Sequence, residues 1–193
     1  MAIIITEEMK RYAIIEAKKR KPYIKHHFNV EHLSSIDRDV IGFLGEFACC
    51  EMFGLDWKNN IRDNYLTIDR GDIKSGNLIF DVKTETLPNN YPYRYFHRVF
   101  NRLIDDDSPY GRRLIVKGQV ELLEKYDIVI FGAFVRDNYD KWYSLGYLET
   151  KFILKNYNVT KKTPFGSEYP EPALPIRTSD LKPIGDIKKL IIS

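Results

Sequence analysis

An α/β fold, a central mixed β-sheet flanked by helices, is what this sequence predicts, and three stretches carry the prediction. Residues 35–54 place Ile41, Leu44, Phe47, Ala48, Met52 and Phe53 at helical spacing and stop at Gly54, a residue suited to ending a helix. From Leu66 to Thr84 the hydrophobic period becomes that of strands, broken by Ser75-Gly76-Asn77, which is turn chemistry. Tyr126 to Val135 is almost wholly apolar and β-rich, the composition of a strand buried on both faces.

The other elements follow in chain order. Ala2-Ile3-Ile4-Ile5 lacks the basic leader and cleavage site of a signal peptide, and no apolar run approaches membrane-spanning length, so an intracellular, cytoplasmic protein with no membrane partner is expected. Thr6 is placed to cap a helix with Glu7 and Glu8 in its first turn; Met9, Tyr12, Ala13, Ile15 and Ala17 carry that helix to about Lys19, and Pro22 ends it. Lys18, Lys19, Arg20 and Lys21, extended by Lys25, His26 and His27, form a basic cluster that either holds phosphates or solvates a helix end. The helix of residues 35–54 starts at Ser35 or Asp37, and its Gly42, Gly45 and Cys49 leave a narrow surface beside Glu46 on which a sheet can approach closely.

Tyr91-Pro92-Tyr93-Arg94-Tyr95-Phe96-His97-Arg98 interleaves rings with bases. It reads either as a surface that stacks on nucleotides or as a strand with its rings packed inward. Asp105-Asp106-Asp107 is a solvated turn, because consecutive residues on a loop rarely converge on one ion. Gly118 to Lys125 is a short helix leading into the buried strand, Trp142 to Leu148 a further strand, and Glu149 to Tyr157 a short helix. Residues 158–183, rich in Pro and Gly, are expected to wrap the surface, with Ala173-Leu174-Pro175-Ile176 as an edge strand.

At 193 residues the chain has the size of a single domain with a substantial core, and neither a repeat nor a linker divides it. Its formal net charge of +3 and pI near 8.7 permit a polyanionic partner without demanding one. The two cysteines are adjacent, Cys49 and Cys50; on one helix they point in different directions and cannot pair, and they read as small core residues.

The residues that bear chemistry lie in the hairpin. Side chains two apart on a strand point to one face roughly 7 Å apart, so Asp81 and Lys83 share a face with Ile79 while Phe80 and Val82 face the packed side. The turn at 75–77 folds the preceding segment back and brings Asp72 toward Asp81, and two convergent carboxylates suit a hard divalent cation. Asp72, Asp81 and Lys83, with Val82 in the variable slot, resemble the signature of the PD-(D/E)xK nuclease superfamily, and Glu46 matches the glutamate its members carry on a helix before the first strand. The leading proline of the signature is absent, since Arg70-Gly71 precede Asp72.

The resemblance covers about residues 36–148 and implies a restriction-endonuclease-like core. It implies Mg²⁺, with Mn²⁺ substituting, held by Asp72, Asp81 and the Val82 carbonyl, and Glu46 on a water or a second ion. Lys83 would orient the attacking water and stabilise the transition state. Lys117 and Gln119 fall where relatives place an accessory polar residue. The phosphate or base contacts would come from Lys18, Lys19, Lys21, Tyr93, Arg94, Arg98, Arg112 and Arg113. Nucleases of the iron–sulfur branch need four cysteine ligands, and two exclude that cluster. The activity so implied is a DNA endonuclease, with a homodimer as the form that cuts two strands. A non-catalytic nucleic-acid-binding or structural protein is the competing reading, and nothing in the residues separates DNA from RNA.

Overall fold

The computed structural model describes residues 1–23, 33–66 and 71–187. Lys25, His26, His27 and Arg70, along with residues 67–69 of the segment read as strand-like, lie outside these. The chain runs β1 (Ala2–Ile4), α1 (Glu7–Arg20), α2 (Ser35–Met52), β2 (Ile73–Ser75), β3 (Leu78–Leu87), α3 (Tyr95–Phe100), β4 (Arg112–Val116), α4 (Lys117–Val120), β5 (Ile128–Val135), β6 (Asn138–Glu149), α5 (Thr150–Asn156), β7 (Thr160–Lys162) and β8 (Glu168–Arg177), with single 3₁₀ turns between.

Five strands form one mixed sheet in the order β1-β6-β5-β3-β2. β3 and β5 are parallel, while β2–β3, β5–β6 and β6–β1 are antiparallel. Alternation along β5 explains its apolar run: Ile128, Ile130 and Phe134 face α1 and α2, whereas Val129, Phe131 and Ala133 face the opposite layer. Among the described residues no helix is long and apolar enough to cross a membrane.

Local signals set the helices. Thr6 accepts the Met9 amide at the start of α1. Ser34 and Asp37 cap α2 reciprocally, each side chain taking the other's backbone N–H. α1 buries Met9, Ala13, Glu16 and Ala17, and Ile15, expected on that face, is exposed. Cys49 and Cys50 are both buried free thiols in the core.

The second face of the main sheet departs from expectation. A separate three-stranded sheet, β4-β8-β7, covers it together with α3 and α5. Residues 158–183 therefore build a layer of the core rather than a surface wrap, with Leu174 and Ile176 buried. β8 pairs with β7 up to Ala173 and with β4 from Ala173 onward, so Pro170, Pro172 and Pro175 each lie along a stretch with one open flank. β8 is thus the central strand of its sheet, not the edge strand expected at Ala173–Ile176, and Ala173 pairs with both neighbours. The Tyr91–Arg98 run is no strand either: a turn occupies 91–93 and α3 begins at Tyr95, with only Phe96 of its rings buried.

Candidate functional site

The site is assembled at the junction of α2, β2 and β3. α2 approaches the sheet at Gly45: a Cβ there would stand 1.9 Å from Thr84 Oγ1, so only glycine permits this contact. Thr84 is held in turn, its Oγ1 accepting the Trp142 indole N–H at 3.2 Å. Close approach at Gly45 fixes the next residue, Glu46, buried against β3. Its Oε2 accepts from Asn60 Nδ2 at 2.7 Å.

β2 pairs with β3 only through Ile73↔Phe80, Lys74↔Ile79 and Ser75↔Leu78. The chain then turns away at Gly71, whose φ of 80° favours glycine. Where the backbone ladder ends, the Asp72 carboxylate continues it: Oδ2 accepts the Val82 N–H at 2.8 Å. A strand residue presents its N–H and C=O to one edge, so the Val82 carbonyl faces the same side as Asp72. Asp81 is buried, with Oδ1 accepting from Lys83 Nζ at 2.8 Å. Its Oδ2 is buried and has no hydrogen-bond partner among the described residues.

The electrostatics follow from this crowding. Burial raises the Asp72 pKa well above its usual range, and the charges of Glu46 and Asp81 push it the same way against the pull of Lys83 and the Val82 amide. Burial likewise raises Glu46, partly offset by Arg62, Arg20 and the Asn60 bond. Among the described residues no group of three or more His, Cys, Asp or Glu side chains stands ready-made to hold a metal ion. The donor set nevertheless suits a hard cation: an orphaned carboxylate oxygen, a second carboxylate sharing its field and a carbonyl on the same edge are oxygen ligands that positive charge would relieve. A cleft of about 600 Å³ opens beside them, lined by Asp72, Asn60, Arg62 and Lys74.

Glu46, Asp72, Asp81, Val82 and Lys83 are thus brought together. Lys117 and Gln119 are not: α4 packs on β4 and β8, and no hydrogen bond or ion pair among the described residues ties either side chain to the carboxylates. Of the expected phosphate contacts, Lys18, Lys21, Tyr93, Arg94 and Arg98 are exposed. Lys19 instead bonds Glu16 and the Arg62 carbonyl. Arg112 pairs with Asp107. Arg113 is 1% exposed and pairs with Glu85, so it cannot reach a surface phosphate where it stands.

Asn60, Arg62 and Glu16 were missed by sequence reasoning. Glu16 carried a signal: it falls on the stripe of Met9 and Ala13, where an acid must find buried partners. The loop residues Asn60 and Arg62 carried none. No family model, curated protein or solved structure matches the chain.

Proposed function

We propose that the chain is a metal-dependent nuclease that hydrolyses phosphodiester bonds in DNA, acting within the strand, on a restriction-endonuclease-like core of the PD-(D/E)xK kind. The observation that carries this reading is the state of Asp81: one oxygen on Lys83, the other buried without a hydrogen-bond partner among the described residues, beside two further carboxylates. A structural carboxylate at that depth would be expected to satisfy both oxygens, since burying an unpaired one costs several kcal/mol, on the order of an uncompensated ion.

Asp72, Asp81 and the Val82 carbonyl are the residues that would hold Mg²⁺ or Mn²⁺, with Glu46 beside them. A cation held there would supply positive charge against the charge growing on the phosphoryl oxygens and would lower the pKa of a nearby water. Lys83, its ammonium held by Asp81, orients the attacking water and places positive charge beside the oxygens that gain negative charge as phosphorus becomes five-coordinate. Glu46, held by Asn60, would bind a cation-bound water or a second ion. Arg62 and Lys74, on the cleft wall, offer positive charge to the phosphates on either side of the scissile bond. Two such sites, in a homodimer, would cut two strands.

Cleavage of supercoiled, linear, branched and single-stranded DNA with Mg²⁺, Mn²⁺ or EDTA tests the reading, with Lys83→Ala run beside wild type. Metal-dependent cleavage that vanishes in the variant supports it. Protection without cleavage under every condition favours the non-catalytic binder instead.

A further inference from the structure

The turn that follows β3 carries a feature the proposed chemistry does not use. Tyr91 and Tyr93 are 82% and 56% exposed. The Tyr93 and Tyr95 rings are stacked, with centroids 5.5 Å apart and planes 4° from parallel, and Tyr110 lies against Tyr95 at 4.6 Å. Aromatic rings are ordinarily spent on core burial, yet here a row of them faces solvent. Arg94 lies over the Tyr91 ring at 5.9 Å, Arg98 is exposed one turn further on, and Arg136 reaches the Tyr110 hydroxyl at 3.3 Å.

Charge and backbone point the same way. Between Glu85 and Asp105 the sequence has no acid but has Arg94, Arg98 and Arg102. The acids that follow are engaged, Asp107 with Arg112 and Asp106 with Ser179. Arg94 and Tyr110 hold φ of 44° and 62°, a left-handed conformation that residues bearing side chains adopt at a cost and that gathers at ligand-binding surfaces. The row is also tied to the strand of the candidate site. Arg113 bonds both the Tyr110 carbonyl and Glu85, which lies two residues beyond Lys83 on the same face of β3. From Lys83 to Leu87, where the chain enters the turn, is about 13 Å of strand.

We propose that Tyr91, Tyr93, Tyr95 and Tyr110, with Arg94 and Arg98, form a stacking platform for unpaired nucleobases, so that the nucleic acid drawn to this protein contains a single-stranded segment. The inference rests on nucleic acid being the substrate. Exposed rings stack on any base whose faces are free, and the arginines meet the phosphates between bases. A duplex hides its base faces and would leave the rings without a partner.

The test is fluorescence anisotropy in EDTA with a labelled single-stranded 20-mer and a hairpin duplex. Wild type is compared with the Tyr91→Ala/Tyr93→Ala double variant and with the corresponding Phe double variant. Both positions are exposed, so folding is spared. The expected result is a preference of wild type for the single strand, an affinity about tenfold or more lower in the Ala variant, and retention in the Phe variant. Equal single-strand affinity of wild type and Ala variant overturns the proposal, as does equal loss on both DNAs. Absence of single-strand binding by wild type also overturns it and leaves the rings to a protein partner. Binding read in EDTA does not involve turnover, so failure of the platform appears as unchanged anisotropy, while failure of the nuclease reading appears as absent cleavage by wild type.

Discussion

Two acids buried in this molecule meet opposite fates. Glu16 in α1 is fully buried, and its carboxylate is satisfied on both oxygens: Lys19 Nζ at 2.7 Å on one, the Arg62 amide at 3.2 Å and the Tyr65 hydroxyl at 2.6 Å on the other. Asp81 in β3 is buried almost as deeply, with a single ammonium on one oxygen and nothing among the described residues on the other. Its neighbours are more carboxylates, Asp72 and Glu46. Glu16 is complete and fastens loop residues 62–65 to α1. The Asp81 cluster leaves a carboxylate oxygen without a hydrogen-bond partner among the described residues, and the proposed cation would supply the positive charge that Glu16 finds within the fold.

The largest effect falls on turnover: Lys83→Ala should lower cleavage by about a thousandfold, on the order of 4 kcal/mol of transition-state stabilisation, while leaving DNA affinity in EDTA unchanged. Steady-state rates and anisotropy on the same preparation separate the two quantities, and undiminished turnover would remove Lys83 from the chemistry.

Next in size is Glu16→Ala, which leaves the Tyr65 hydroxyl and the Arg62 amide without their acceptor and should cost about 3 kcal/mol in urea unfolding. Asp81→Asn, by contrast, should leave stability in EDTA equal or higher, because it removes a charge from a crowded cluster. Equal losses in both variants would erase the distinction between the two acids.

The third prediction concerns pH and cation together. Asp72 and Glu46 have native pKa values raised above their ordinary 3.8 and 4.5, so the folded chain binds more protons than the unfolded one in the interval between. Stability in EDTA should therefore be greatest at acid pH and fall as pH rises from about 4 through the raised native values. Saturating Mn²⁺ should restore it at neutral pH, by about 2.7 kcal/mol at a hundred times Kd. Thermal melts across pH with and without Mn²⁺ check both, and a flat profile insensitive to the ion would refute the crowding argument.

The smallest change is expected from Asn60→Ala, which takes an amide donor from Glu46 and should cost about 1 kcal/mol. Chemical denaturation in EDTA would detect it, and a neutral result would mean that water replaces Asn60 without loss.

What was legible in the sequence follows the range of the signals. α1, α2, the β2–β3 turn, β5 and α5 rest on caps, turn residues and periodicity within a few positions, and they stand where those signals put them. The second sheet does not announce itself locally: β4 opens on two arginines, and β8 carries prolines that its staggered pairing tolerates. In the candidate site, Asp72, Asp81 and Lys83 were readable because one hairpin joins them. Glu46 was readable from its isolation in an apolar helix. Arg62 meets Glu16 across 46 positions and only in the folded chain. Arg113 looked like a surface cation in sequence, and its pairing with Glu85 depends on the layer that the sequence concealed.

Titration calorimetry of Mn²⁺ into wild type and into Asp81→Asn addresses the central claim, that the carboxylates at the α2–β3 junction form a cation site. Saturable binding by wild type that is lost in the variant, with the fold of both unchanged by circular dichroism, is the predicted result. No binding by wild type, or the same isotherm for both proteins, would contradict it.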